Sequence, residues 1–278
     1  MRPIRTVSVF PTLLTLGNLV CGFFAIVVAA RVDRPPEDLS LLTAAQAFAD
    51  ATDLMLAAWL IFLAMVFDGL DGYVARLSRS ASDFGAELDS LCDVVTFGVA
   101  PGFLLVKMCP EFTHLHSRAV WVIAAAYAAC AALRLARFNV ELADDDEHLE
   151  FKGLPSPAAA AAIASFAILF HTLRNPATTF QYASQVDSLL QTALPFFGVL
   201  LALLMVSRIP YPHVVNQIFR GQRSFGHVVA VLFALVAVMI VRGYAIPIVC
   251  CGFVFYGPIH YLWERLVVRR RREEEALF

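Results

Sequence analysis

Residues 68–93 read DGLDGYVARLSRSASDFGAELDSLCD. Four aspartates of this stretch, Asp68, Asp71, Asp89 and Asp93, stand among apolar neighbours. Asp68 and Asp71 are spaced i, i+3 and so share one face of a helix. Gly85, Asp89 and Asp93, at i, i+4 and i+8, form one stripe of a second helix. The polar stretch between, LSRSAS, is short, which predicts an antiparallel helical hairpin over 53–108 with Asp83 as N-cap of the returning helix. Folded this way, all four carboxylates converge a turn or two inside one face of a membrane.

The rest of the chain supplies the membrane context. Its 278 residues are 59% hydrophobic and 16% charged, with a mean hydropathy of +0.71. An ordinary soluble domain is about 45–50% apolar and about 25% charged. The excess falls in blocks of roughly 18–25 residues, the length a helix needs to cross about 30 Å of hydrocarbon. Hydropathy predicts an all-α integral membrane protein, one polytopic domain over 1–278 with about eight transmembrane helices. The spans are 9–30, 53–76, 84–108, 118–138, 155–172, 191–208, 225–242 and 245–265, equally describable as a six-helix core with extra peripheral helices. The Ala-rich runs AAAYAACAAL and AAAAAIA offer small residues for close helix packing in lipid. Arg31 and Asp33 follow the first block with no small-residue cleavage site, so it reads as a retained span.

Charge sets the expected orientation. With the N-terminus inside, Arg2, Arg5, Arg76, Arg79, Arg134, Arg137, Lys152, Arg208, Arg220, Arg223, Arg265 and the run Arg269–Arg272 all fall on the inner side, against a minority outside. The positive-inside rule then puts both termini and the carboxylates at the cytoplasmic face of a cell membrane. Residues 266–278 read as a charged cytoplasmic tail, and DDDE at 144–147 as a solvated loop. A net charge of −2 gives no basic surface for nucleic acid. The six cysteines show no CxxC pairing and mostly sit in apolar blocks, as small buried residues do.

Four carboxylates at membrane depth need a counter-charge. Each costs roughly 2.5–3.5 kcal/mol on insertion scales, and clustering adds repulsion. Hydration, or pairing with Arg76 and Arg79, would suffice for one or two aspartates but not for four on matching faces. An all-oxygen set without His or Cys suits Mg²⁺, Mn²⁺ or Ca²⁺ rather than zinc. Four carboxylates can hold two such ions around a phosphoryl group. Gly72 and Gly85 clear bulk beside them, Ala75 keeps the same approach open, and Arg76 can reach a phosphate. A cation path through a transporter is the rival reading. It needs polar groups continuing to the other face, and spans 118–138 and 225–242 carry few.

The segment resembles the D-x2-D-G-x2-A-R-x8-G-x3-D-x3-D signature of the CDP-alcohol phosphatidyltransferase family at Asp68, Asp71, Gly72, Ala75, Arg76, Gly85, Asp89 and Asp93. The resemblance implies a membrane enzyme that moves a phosphatidyl group from a CDP-linked lipid to an alcohol and releases CMP. It implies that the four aspartates bind two divalent metals, with Asp93 also the general base. By the same resemblance Gly72, Ala75, Arg76, Gly85 and Ser82 contact the CDP-lipid, and a homodimer is expected. Asn18, a polar residue in the first span, is expected either at the nucleotide or in an interhelical hydrogen bond.

Four further stretches, FPTLLTLGNLVCGFFAI (10–26), LRLARFN (133–139), FKGLPSPAAA (151–160) and VSRIPYP (206–212), resemble the bacterial and archaeal membrane-type phosphatidylserine synthases within that family. This implies CDP-diacylglycerol as donor and L-serine as acceptor. Serine carries a carboxylate and an ammonium, so Arg134, Arg137, Asn139, Lys152, Ser156 and Arg208 are candidates for the acceptor or for the lipid phosphate. Pro155 and Pro157 are expected to shape the start of a helix. Glycerol 3-phosphate or inositol as acceptor, or an archaeal-type lipid as donor, would use the same carboxylates.

Overall fold

The computed structural model describes residues 9–32, 44–77, 83–143, 153–177, 181–211, 243–263 and 265–266. In chain order the helices are α1 (Val9–Ala30), α2 (Ala44–Leu77), α3 (Asp83–Asp93), a π-helical turn (Val94–Val99), α4 (Ala100–Met108), α5 (Pro110–Ala143), α6 (Ser156–Arg174), α7 (Ala183–Val206) and α8 (Ala245–Trp263). α3, the π turn and α4 form one continuous span, so seven stretches among the described residues are long and apolar enough to cross a membrane. The expected span at 225–242, both termini and nearly all of the 266–278 tail lie outside the described residues.

Two helices begin earlier than hydropathy predicts. α2 starts at Ala44 rather than at 53, and its 34 residues extend about 51 Å, well beyond the hydrocarbon thickness. The added turns, AAQAFADAT, are too polar for a hydropathy window but rich in alanine, the strongest helix former. They are fixed by Phe48, whose ring lies 5.0 Å from that of His171 on α6. α7 starts at Ala183 rather than at 191 for a different reason. Arg174, ending α6, makes a two-pronged ion pair with Asp187 at 2.9 and 3.2 Å, and Gln191 donates to the same carboxylate at 2.6 Å. That pair ties the first turns of α7 to α6. The expected helix at 118–138 is the apolar part of α5, which bends at His116, where the backbone leaves helical geometry.

The first helix organises the site. α1 packs along α2 and also against α3, the π turn and α4. The two arms of the carboxylate hairpin therefore meet through α1. α6 packs on α2, α7 and α8, and α5 packs on α7 and the π turn. The C-terminal ends of α2, α5 and α7 and the N-terminal ends of α3 and α6 share one end of the bundle. α8 starts at the opposite end, where Gly243 stands against Thr172.

At the site end, the approach to α6 is docked onto the exit from α7. The Gly153 amide donates to the Ile209 carbonyl at 2.8 Å, and the Leu154 amide to the Leu204 carbonyl at 3.0 Å. Pro155 keeps an extended backbone just before α6, and Pro157 lies in the first turn, where a missing N–H costs nothing. Tyr211 completes the dock by donating to the Val254 carbonyl of α8 at 3.0 Å. Gly153 holds φ at +96°, and a Cβ there would collide with the Met205 carbonyl oxygen and lie 3.0 Å from that of Ser207. Gly153→Ala is therefore expected to cost on the order of 1–3 kcal/mol, read as a lower melting temperature in detergent.

Candidate active site

α2 and α3 deliver three carboxylates to one point. Asp68, Asp71 and Asp89 each present an oxygen, and these oxygens lie within 4.8 Å of one another. Asp71 is 5% exposed and the other two are half-buried. Asp71 Oδ2 and Asp89 Oδ1 are buried without a hydrogen-bond partner among the described residues. Unpartnered buried carboxylate oxygens are costly, and a divalent cation with oxygen preference satisfies them directly. The donor set thus fits such an ion.

Asp93 lies outside this trio of oxygens, one turn further along α3 from Asp89. It is buried, and Asn18 Nδ2 of α1 donates to its Oδ1 at 2.9 Å. Asn18 thus makes an interhelical hydrogen bond, from α1 to α3. Asn18 is fully buried, and its own Oδ1 has no partner.

The expected acceptor residues fall at the same end. Arg134 Nη1 on α5 donates to Ser156 Oγ on α6 at 2.9 Å, and Ser156 is fully buried. The remaining Arg134 Nε is buried without a partner, and Arg134 is near enough to Asp93 to interact with it electrostatically. Asn139 Nδ2 donates to Ser90 Oγ at 2.9 Å, so α5 also grips α3 between Asp89 and Asp93. Arg137 is half-buried on α5, whereas Arg208, just past α7, is exposed. Gly72 and Gly85 are half-buried on α2 and α3. Ala75 and Arg76 continue α2 beyond Asp71. Ser82 and Lys152 lie outside the described residues.

Sequence reasoning missed three polar groups around Asp93. These are Ser90, the buried Thr96, and the buried Tyr127, which reaches the π turn from α5. It also missed the π turn itself. Pro101, inside the third span, was the available signal, since a proline cannot serve the carbonyl four residues before it.

Comparison with known proteins agrees with this architecture. The family model described as CDP-alcohol phosphatidyltransferase matches residues 8–206. The chain is 36% identical to a CDP-diacylglycerol–serine O-phosphatidyltransferase of Methanocaldococcus jannaschii over 203 residues, 73% of this chain and 83% of that protein. It is 32% identical to the protein of the same name from Helicobacter pylori over 216 residues, 76% of this chain and 75% of the relative. An archaetidylserine synthase of Methanothermobacter thermautotrophicus is 33% identical over 186 residues, 64% of this chain and 70% of that protein.

The trio predicts opposite responses to charge removal with and without metal. Asp89→Asn relieves repulsion, so in EDTA the variant is expected to melt at a higher temperature than wild type. With Mn²⁺ at about 100 times its dissociation constant, wild type should gain about 2.7 kcal/mol and the variant much less. Thermal unfolding in detergent with each additive checks this. Equal gains would place Mn²⁺ elsewhere.

Proposed function

This chain belongs to the CDP-alcohol phosphatidyltransferase family, and from that premise we propose that it transfers the phosphatidyl group of CDP-diacylglycerol to L-serine, giving phosphatidylserine and CMP. The observation that carries the reading is the convergence of Asp68, Asp71 and Asp89 at the same end of the bundle as the pair of half-buried Arg134 and buried Ser156. The names of the relatives in Methanocaldococcus and Helicobacter support serine as the acceptor.

Asp68, Asp71, Asp89 and Asp93 would hold two divalent cations, Mg²⁺ or Mn²⁺. Such ions supply charge neutralisation to the pyrophosphate and to the leaving CMP. Asp93 takes the proton of the serine hydroxyl. Its Oδ1 is engaged by Asn18, which fixes the plane of the carboxylate and leaves Oδ2 for that proton. The serine oxygen forms its bond to the phosphorus nearer diacylglycerol while the bond from that phosphorus to CMP breaks. Arg134, with an unused buried Nε–H, provides a cation for the serine carboxylate or the lipid phosphate. Ser156 orients that guanidinium. The buried walls around Asp71 and Asp93 exclude water as a competing nucleophile. Gly72, Ala75, Arg76, Ser82 and Gly85 would line the path of the CDP-lipid. On the positive-inside argument, this end faces the cytoplasm.

The relation to an archaetidylserine synthase favours a second donor, an archaeal-type CDP-lipid, with the same acceptor and the same residues.

CMP release by purified protein tests the reaction. Release should require L-serine and Mg²⁺ or Mn²⁺ and stop in EDTA, and the two CDP-lipids compared side by side identify the donor. Glycerol 3-phosphate or inositol replacing serine would discard the serine assignment and keep the carboxylates. Asp93→Asn is expected to lower turnover by about 10²–10⁴ while CDP-lipid still binds. Arg134→Ala should raise the KM for serine about tenfold or more; an equal rise for CDP-lipid would assign Arg134 to the phosphate.

A further inference from the structure

The span that carries Asp89 and Asp93 is not a uniform α-helix. Directly after Asp93 it widens into the π turn Val94–Val99, where the Ala100 amide donates to the Val95 carbonyl five residues back. The cause is in the sequence. Pro101 has no N–H for the Phe97 carbonyl, and in a straight α-helix its ring would strike that carbonyl. The extra residue of a π turn removes the collision and rotates everything beyond it by about 100° relative to α3.

Two side chains hold this turn, one from α5 and one from the turn itself. Tyr127 of α5, fully buried, donates its hydroxyl to the Phe97 carbonyl at 3.2 Å and so replaces the amide that Pro101 lacks. Thr96, also fully buried, donates to the main-chain carbonyl of Asn18 at 3.3 Å. Asn18 is the same residue whose side chain donates to Asp93. Asn18 therefore grips the turn at its start and again three residues on. Gly22, one helical turn beyond Asn18, makes the approach possible. A Cβ there would overlap the Thr96 hydroxyl and lie 2.9 Å from the Thr96 Cα.

We propose that the π turn is a positioning device for Asp93, in which Pro101 creates the turn, and Thr96 and Tyr127 lock it against α1 and α5 so that the Asp93 carboxylate is held in register with Asp89. Thr96, Tyr127 and Pro101 are positioning residues, since none of them touches the reacting atoms. The proposal rests on the reading of Asp93 as the group that takes the acceptor proton. A displacement of about 1 Å at such a group can cost about 10²-fold in rate.

Four variants test it in the full-length protein in detergent: Tyr127→Phe, Thr96→Val, Thr96→Ser and Pro101→Ala. Tyr127→Phe and Thr96→Val keep shape and remove one hydroxyl each. Both are expected to lower kcat by about 10- to 100-fold with the KM for CDP-diacylglycerol and for serine within about twofold of wild type. Thr96→Ser restores the hydroxyl and should recover most of the rate. Pro101→Ala returns an amide to the Phe97 carbonyl and competes with Tyr127, so it should melt no lower than wild type yet turn over more slowly. A purely structural role for these residues predicts the reverse, with rate following melting temperature. Folded variants whose kcat stays within twofold of wild type would overturn the proposal.

Hydrogen exchange on peptides covering Asp93 to Ala100 gives a readout independent of turnover. Faster exchange in Tyr127→Phe and Thr96→Val supports the lock, and unchanged exchange in both overturns it. Wild-type protein that releases no CMP with serine would instead remove the functional reading, and exchange alone would then decide whether the lock exists.

Discussion

Like charges brought together out of water govern this structure. Three carboxylate oxygens within 4.8 Å of one another repel by roughly 3–4 kcal/mol per pair at an effective dielectric of about 20. The surrounding helices must hold the arms together against that repulsion, and they do so with α1. Its packing along α2 and against α3 turns two repelling arms into two walls of one groove. Each oxygen left without a hydrogen-bond partner, on Asp71 and on Asp89, is an unmet demand for positive charge. The donor set is thus compatible with a divalent cation.

The carboxylate arrangement was legible in the sequence because it is local. Asp68 with Asp71, and Asp89 with Asp93, are set by helical spacing alone, and the shortness of the polar stretch between the two pairs predicts that they meet at the same end. The partners of the fourth aspartate were not legible, because they depend on which helix lies beside which. Asn18 is 75 residues from Asp93, and its polarity marked it as notable without saying which helix it would face. Arg134 and Ser156 were visible as candidates, but their contact with each other rests on how α5 meets α6. Helix starts at Ala44 and Ala183 escaped hydropathy because these turns are held by a ring stack and an ion pair rather than by lipid.

The two halves of the site are built on different principles. The carboxylate half is assembled by α1, α2 and α3 through small residues and two hydrogen bonds of Asn18, which donates to Asp93 and accepts from Thr96. The Arg134 half is assembled by α5 and α6 and relies on main-chain hydrogen bonds to the end of α7. The π turn joins them, since it contacts α1 on one side and α5 on the other. Pro101, just past that turn, lies two helical turns from Asp93.

The docking of Gly153 and Leu154 on Ile209 and Leu204 also orders the synthesis of the protein in time. Helices leave the ribosome and enter the bilayer from the N-terminus onward. The carboxylate hairpin is therefore in place long before the chain that fixes Ser156, and through it Arg134, has been made. A nascent chain that ends before α7 lacks the Leu204 and Ile209 carbonyls that receive the Leu154 and Gly153 amides. The approach to Ser156 therefore acquires its main-chain partners only once α7 and its exit have been made.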